Sequence, residues 1–182
     1  MIRHADARTD AAPCAAIYAP FVTDGVISFE VDPPDEAAMA ARIQEVSATH
    51  PWLVTEQDGA VAGYAYADAH HTRAAYRWAA DVAVYVDPAR HRRGLGRGLY
   101  EALFALLARQ RLRMVCAGVT LPNDASVGLH EALGFQPVGV YRSIGWKAGA
   151  WWDVGWWQRP LEAGGDEPPM EPTAPARLGG RP

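Results

Sequence analysis

The chain has 182 residues, a length that suits one domain and allows a core large enough to fold without disulfides. Its composition is that of an ordinary globular protein, and the net charge of −4 argues against bulk attraction to nucleic acid or to an anionic membrane surface. Two cysteines provide neither a disulfide framework nor a metal-ligand spacing, and charges interrupt the first ten positions, where a secretory signal needs an apolar run. We therefore expect a cytoplasmic protein without a bound metal.

The start of the chain predicts a short strand and two helices. Residues 2–4 are expected to form the strand, and Thr9 or Asp10 to cap the first helix, with Pro13 in its first turn. Four apolar residues at helical spacing would form its buried face: Cys14, Ile17, Tyr18 and Phe21. After a loop, Asp35 is expected to start a second helix, whose apolar residues also recur at helical spacing.

Strands and a polar loop occupy the middle of the chain. Residues 52–67 are typical of two strands joined by a hairpin turn at Gly59. The loop that follows carries two histidines and an arginine: His70, His71 and Arg73. A further strand is expected over residues 76–86 and ends before Pro88, because proline lacks the N–H group that would continue the ladder.

A basic, glycine-rich turn joins this strand to the next helix. From Leu95 onward leucines fall at helical spacing, so the turn over residues 90–94 leads the chain into a helix N-terminus. Unpaired N–H groups and the positive end of the helix dipole make such a terminus a site for anions. Glycines in addition let a phosphate group approach the backbone closely, so the segment predicts a phosphate-bearing ligand.

The spacing of the glycines narrows the choice of ligand. A P-loop fails because no Lys-Ser/Thr pair follows, and the dinucleotide fingerprint fails because Leu99 stands where its third glycine belongs. The pattern Gln/Arg-x-x-Gly-x-Gly/Ala fits Gly94 and Gly96 with His91 in the Gln/Arg position, and a second register starts at Arg93. This pattern resembles the pyrophosphate loop of the GNAT acetyltransferases, whose ligand is acetyl-coenzyme A (acetyl-CoA). The alternative is a solvated basic turn that carries glycines without binding a phosphate.

The last part of the chain returns to strands. Residues 114–120 predict one strand, and Asn123 or Asp124 then caps a short helix that ends at Gly134. Residues 138–144 and 151–157 are expected to form the last two strands. Because strands alternate with helices around a central strand-turn-helix-strand unit, the pattern indicates an α/β fold with a mixed sheet.

A change of composition marks the predicted end of the domain. From residue 162 onward glycine and proline replace most apolar residues, and such a segment cannot bury enough surface to order itself. We expect one folded domain over residues 1–161 and a flexible Pro/Gly-rich tail over residues 162–182.

Five segments, taken together, resemble blocks of the phosphinothricin N-acetyltransferases within the GNAT superfamily, in the same order and at similar spacing. They are PWLVTEQDGAVAGYAYA, YRWAADVAVYV, RHRRGLGRGLYEAL, LPNDASVGLHEALGF and GWKAGAWWDVGWWQRPL. With weaker likeness in the first helix and around Phe29, the similarity extends over nearly all of residues 2–161. It implies a mostly antiparallel mixed sheet with a central splayed pair of parallel strands, and helices on both faces.

The resemblance also assigns residues to acetyl-CoA. In that family the pantetheine arm adds to the exposed edge of the strand before the glycine turn, and N–H groups of the turn hold the pyrophosphate. By position, the arm belongs to Val84, Tyr85 and Val86, and the pyrophosphate to Arg92, Arg93, Gly94, Leu95, Gly96 and Arg97. Asn123 matches an asparagine that reaches the cofactor arm, although a plain helix N-cap would use the same residue type.

Two residues match positions of proton transfer in the family. Asp81 stands where the family has a glutamate that accepts the proton of the amine, and the shorter side chain makes a bridging water plausible. His130 lies where many GNAT proteins have a tyrosine that protonates the departing thiolate, and an imidazole can donate or accept a proton near neutral pH. The alternatives are a structural carboxylate bonded to a neighbouring N–H group and a packing histidine.

The resemblance implies an acetyl-CoA-dependent N-acetyltransferase for a small amino acid or analogue such as phosphinothricin, methionine sulfoximine or methionine sulfone. The residues matched to the acceptor site are Phe29, His71, Arg73, Tyr76 and Trp78, but His70-His71 replaces Trp-Lys/Arg, which leaves the acceptor open. Alternatives are a polyamine, an antibiotic or a protein N-terminus as acceptor, or a non-catalytic acyl-CoA sensor. Five tryptophans are expected in the core or in a homodimer interface: Trp146, Trp151, Trp152, Trp156 and Trp157.

Overall fold

Seven strands and four α-helices make up the fold in the computed structural model, which describes residues 1–161 and 169–175. The strands are β1 (Ile2–His4), β2 (Trp52–Gln57), β3 (Ala60–Ala69), β4 (Ala79–Val86), β5 (Met114–Leu121), β6 (Gln136–Lys147) and β7 (Ala150–Pro160). The helices are α1 (Ala7–Thr23), α2 (Glu36–Ser47), α3 (Leu95–Arg109) and α4 (Asp124–Ala132). Among the described residues, none of the helices has the length and apolar character to cross a membrane.

The strands form one mixed sheet in the order β1-β2-β3-β4-β5-β7-β6. All neighbouring strands are antiparallel except β4 and β5, which run parallel at the centre. Their shared ladder contains three pairs and ends where Asp81 lies opposite Cys116, so the remaining length of both strands separates. The mostly antiparallel sheet with a splayed parallel pair is therefore confirmed.

Helices cover both faces of the sheet, as predicted. On one face, the buried residues Leu99, Leu103 and Leu107 of α3 pack against Ala65 and Val82 of the strands. The opposite face receives α1 and α2, whose apolar residues surround Tyr64 of β3. This alternation follows from the pleat, which sends successive side chains of one strand to opposite faces.

The first helix begins earlier than the sequence predicted. Asp6 is its N-cap and accepts a hydrogen bond from the backbone N–H of Arg8 at 2.9 Å, so the assignment to Thr9 or Asp10 is wrong. The carboxylate of Asp10 instead binds the guanidinium of Arg3 at 2.6 and 2.8 Å. Pro13 consequently lies beyond the first turn of α1. The predicted start of α2 is confirmed, because the side chain of Asp35 caps it and accepts the N–H of Ala38 at 2.8 Å.

Strand boundaries also differ from the predicted ones. The strand expected from residue 76 begins only at Ala79, because residues 74–76 form a short 3-10 turn. The last two strands are longer than expected and form one hairpin, closed at Ala148 and Gly149, which both have positive φ. The hairpin places an exposed edge strand, β6, at one side of the sheet.

The C-terminal region lies partly outside the described residues. Of the tail predicted over residues 162–182, residues 162–168 and 176–182 are not described. Residues 169–175 are described, and they bond to the folded domain, for example through Thr173 to Gln110. The division into a domain over 1–161 and a flexible tail over 162–182 stays a prediction.

Candidate acetyl-transfer site

The glycine turn forms an open site at the N-terminus of α3. Arg92 and Gly94 both have positive φ, 61° and 76°, and such alternation turns successive N–H groups toward one point. Gly94 is the N-cap of α3 and has no side chain with which to cap the first turn. The predicted pyrophosphate residues lie together in an exposed turn that leads into a helix N-terminus, as an anion site requires.

The splayed strands open beside this turn. Val84 and Tyr85 of β4 line a narrow cavity of about 80 Å³ together with Asn123 and His130, so the structure brings these sequence-predicted residues together. At the end of β4, the side chain of Val86 lies against Gly96, where an added Cβ would be 3.8 Å from it. The backbone of β4 from residue 82 to residue 86 has no ladder partner on its β5 side and can accept an extended, peptide-like arm.

Asn123 occupies the N-cap of α4 at the edge of this cavity. Its side-chain oxygen accepts the N–H of Ser126 at 3.1 Å, which confirms the capping role. Because the residue also lines the cavity, the cap fixes its side chain where a ligand arm would pass. Its contact with a cofactor stays a prediction.

His130 is buried between α4 and α3 with both ring nitrogens engaged. Its Nδ1 lies 2.8 Å from the carbonyl oxygen of Ser126, and its Nε2 lies 3.1 Å from the hydroxyl of Tyr100. The carbonyl can only accept, so this network assigns the proton to Nδ1 and makes Nε2 the acceptor for Tyr100. Burial lowers the pKa of His130, against the opposing effect of the Ser126 bond, and favours the neutral imidazole.

Tyr100 was not predicted as a site residue. It lies in α3, 30 positions from His130. In the sequence it stands three and seven positions before Leu103 and Leu107, a helical spacing that indicates only a core residue. Its hydroxyl also approaches the carbonyl oxygen of Val82 at 3.5 Å, so it links the histidine to the strand that opens. Burial raises the pKa of Tyr100 well above its usual range, so the phenol stays protonated.

Asp81 lies at the point where β4 and β5 part. Its carboxylate accepts a hydrogen bond from Nδ1 of His70 at 2.6 Å, and 36% of its side chain is exposed. Burial raises the pKa of Asp81, while the bond to His70 opposes that rise. A carboxylate with a raised pKa and an exposed face suits a proton acceptor.

His70 is the second residue that the sequence did not identify. The loop composition showed two adjacent histidines, but the partner of Asp81 depends on the pairing of β3 with β4, which brings residues 11 positions apart together. His70 also packs edge-on against Trp156 at 5.9 Å. The thiol of Cys116 completes a group of three potential metal donors within 4.8 Å of one another, and the expectation of no metal stays a prediction.

The residues matched to the acceptor on the loop after β3 fall into two sets of contacts. His71 and Tyr76 contact each other with ring centroids 4.8 Å apart, and both rings contact His70. Arg73 lines a separate cavity of about 410 Å³, and the indole of Trp78 donates to the carbonyl oxygen of Met170 at 2.9 Å. These two residues therefore lie next to the C-terminal segment.

Phe29 lies on the loop between α1 and α2 and contacts the outer hairpin of β6 and β7. Its ring covers Gly145 of β6 so closely that an added Cβ there would overlap it. Two hydrogen bonds to Ser28 anchor the loop. The hydroxyl of Tyr18 bonds to the Ser28 hydroxyl at 2.7 Å, and Lys147 donates to the Ser28 carbonyl at 2.7 Å. Phe29 is 38% exposed, so this anchored loop presents an aromatic surface to solvent.

Residues 6–156 match the model of the acetyltransferase (GNAT) domain. The chain belongs to the GNAT acetyltransferase family. It is 39% identical over 172 residues to a phosphinothricin N-acetyltransferase of Streptomyces viridochromogenes, an alignment that covers 94% of this chain and 93% of the relative. It is 44% identical over 151 residues to a phosphinothricin N-acetyltransferase of Alcaligenes faecalis, covering 82% of this chain and 77% of the relative.

The GNAT architecture is also shared with a solved structure. A crystal structure of a GNAT superfamily phosphinothricin acetyltransferase from Sinorhizobium meliloti, in complex with acetyl-CoA, matches with a TM-score of 0.88 and 35% identity. The match covers 94% of this chain and 93% of that chain. The family and fold predicted from the sequence are thus confirmed.

Proposed function

We propose that the protein is an acetyl-CoA-dependent N-acetyltransferase that acetylates the amino group of a small amino acid or analogue, such as phosphinothricin or methionine sulfoximine. One observation carries the proposal: the ladder between β4 and β5 ends at Asp81, and the unpaired edge of β4 leads from that carboxylate to the glycine turn. A thioester that lies along this edge has its phosphates at the turn and its acyl group beside a base.

Acetyl-CoA is assigned to the strand edge and the turn. The backbone of Val84, Tyr85 and Val86 would hold the pantetheine arm as an added strand. The N–H groups of the turn would hold the pyrophosphate, contributed by Arg92, Arg93, Gly94, Leu95, Gly96 and Arg97. Asn123, fixed by its capping bond, would contact the arm from the opposite side.

The chemical step joins the amine nitrogen to the acetyl carbon and breaks the carbon–sulfur bond. Asp81 accepts the proton of the amine, directly or through a water, and its bond to His70 orients the carboxylate. His130 would take up a proton from solvent and donate it to the departing thiolate, and its lowered pKa makes the protonated form a stronger acid than an ordinary imidazolium. Tyr100 keeps the imidazole in place through Nε2.

The acceptor would lie on the exposed side of Asp81. Phe29 from one loop and His71 with Tyr76 from the other offer aromatic walls. A guanidinium such as that of Arg73 suits the carboxylate of an amino acid, and Trp78 supports the same loop.

The test is release of thiol from acetyl-CoA with a panel of amines. We expect release with phosphinothricin, methionine sulfoximine and methionine sulfone, and none with spermidine, an aminoglycoside or a peptide N-terminus. Release with a member of the second group alone would replace the proposed acceptor. No release with any amine, despite tight binding of coenzyme A, would indicate an acyl-CoA sensor instead.

We further propose a homodimer that covers the outer hairpin. Several large apolar side chains of one hairpin, β6 and β7, are 57–61% exposed, and such a group is typical of an interface: Tyr141, Ile144, Trp146 and Trp151. Light scattering should give twice the mass of one chain, and Trp151→Lys should give the mass of one chain with unchanged circular dichroism. A wild-type mass of 19.7 kDa would contradict the dimer.

Two smaller proposals complete the assignment. Both cysteines are buried and free, which fits a reducing compartment, so we place the protein in the cytoplasm. We also propose that no metal takes part, and dialysis against a chelator should leave thiol release unchanged. Loss of activity that zinc restores would assign a metal to His70, Asp81 and Cys116.

A further inference from the structure

The described part of the C-terminal region, residues 169–175, lies across the loop that carries the acceptor residues. The indole N–H of Trp78 donates to the carbonyl oxygen of Met170 at 2.9 Å. Next to it, the guanidinium of Arg77 binds the carboxylate of Glu171 at 2.7 Å and stacks over the Trp78 ring at 4.0 Å. The loop is thus bonded to the segment at two consecutive residues.

The same segment is bonded to the end of α3. Gln110 is 1% exposed and forms two hydrogen bonds with Thr173: its side-chain Nε2 donates to the Thr173 carbonyl at 2.8 Å, and its backbone carbonyl accepts the Thr173 N–H at 3.0 Å. Gln110 also holds the carbonyl of Thr49 at 2.9 Å, and Arg111 reaches the Glu171 carbonyl at 3.2 Å. The segment is therefore attached to a rigid helix on one side and to the loop on the other.

A series of contacts links the segment to the proposed base. Two positions before Trp78 in the same loop, the ring of Tyr76 contacts the rings of His71 and His70. His70 in turn bonds to Asp81. The segment and the loop also share the 410 Å³ cavity, which is lined by Arg73 and His71 of the loop and by Glu171 and Thr173 of the segment. A shift of the loop would move the acceptor-side residues and leave the glycine turn, at the far end of β4, in place.

We propose that residues 170–173 position the loop of residues 71–78 and thereby set the affinity for the acceptor amine. The inference rests on the proposed function, because it assigns the loop to the acceptor. Met170, Glu171 and Thr173 are positioning residues, since they act through Trp78 and Arg77. The binding of acetyl-CoA is independent of them.

The test uses the full chain with Thr173→Pro, which removes the N–H that bonds to Gln110. Thr173→Ala keeps that N–H and is the matched control. We expect Thr173→Pro to raise the KM for the acceptor about five- to tenfold, as the loss of one or two hydrogen bonds would, with the KM for acetyl-CoA unchanged. Thr173→Ala should behave like the wild type.

Hydrogen exchange of residues 71–78 supplies a readout that needs no activity. Exchange should be faster in Thr173→Pro than in Thr173→Ala, and faster again in Trp78→Phe, which lacks the indole donor. Equal exchange and equal acceptor KM in both Thr173 variants would overturn the inference. If the wild type acetylates no amino acid, the proposed function fails, and the exchange data alone decide whether the segment orders the loop.

Discussion

Replacing Asp81 by asparagine removes the proposed base while keeping the size of the side chain. The carboxylate accepts one bond from His70 at 2.6 Å, and the amide oxygen of asparagine can accept the same bond. The surrounding packing is preserved, so a loss of activity would report on proton transfer. Asp81→Glu restores a carboxylate and serves as the control.

The size of the effect follows from the exposure of the site. A positioned general base contributes about 10²–10⁴-fold to the rate. Because 36% of the Asp81 side chain is exposed, water can take over part of the task, and we expect the lower half of this range. A loss of about 10²–10³-fold in kcat/KM corresponds to roughly 3–4 kcal/mol in the activation barrier.

The pH dependence gives an independent check. The base is active when deprotonated, so activity should fall as pH drops through the pKa of Asp81. Since burial raises that pKa, the fall should begin at a higher pH than for an ordinary aspartate, and Asp81→Asn should lack this limb. Thiol release measured across pH with saturating acetyl-CoA tests both points. An asparagine variant with the wild-type rate and profile would show that the base is another group.

Three further variants address the turn, the histidine and the fold. Gly94→Val forces a β-branched residue to φ +76° and should raise the KM for acetyl-CoA about tenfold. Gly128→Ala, at a position with open space around it, should leave that KM unchanged. A wild-type KM for acetyl-CoA in Gly94→Val, measured by saturation kinetics, would refute the anion site. His130→Gln should lower kcat about 10–100-fold with little change in either KM, and an unaltered kcat would make the histidine a packing residue. Asp10→Asn should cost about 2–4 kcal/mol in urea unfolding, because it removes a buried carboxylate that pairs with the partly exposed Arg3. Burial raises the pKa of Asp10, but the bonds from Arg3 and from the Asp6 N–H lower it by a larger amount, so the net shift is downward. Wild-type stability should therefore fall as pH drops through that lowered pKa, and the asparagine variant should lack this fall. Identical profiles of stability against pH would contradict the role of the pair.

Local signals explain what the sequence could predict. The turn at Gly94 and the helix after it depend on residues a few positions apart, and the structure confirms both. The cap of α1 was misassigned because Asp6, Thr9 and Asp10 are all good caps, and only the ion pair with Arg3 of β1 decides between them.

Long-range pairing explains what the sequence missed. The bond between His70 and Asp81 exists because β3 and β4 pair in one register, and the bond between Tyr100 and His130 because α4 packs beside α3. The contacts of residues 169–175 could not be predicted from composition either, since they include hydrogen bonds between Thr173 and the side chain and backbone of the buried Gln110, which a count of apolar residues does not register.

The length of the open edge limits the ligands that can use it. From Asp81 to Val86 the strand rises by about 3.3 Å per residue, so the base and the entrance of the glycine turn lie roughly 16 Å apart. A donor that reaches both must carry its acyl group and its phosphates at opposite ends of an extended arm with amide groups to pair with the strand. Coenzyme A has such an arm, whereas acetyl phosphate does not. If acetyl phosphate bound at the glycine turn, its acyl group would stay near Gly94. In the proposed function, the length of the open edge would select the donor, and the loop beside Asp81 would select the amine.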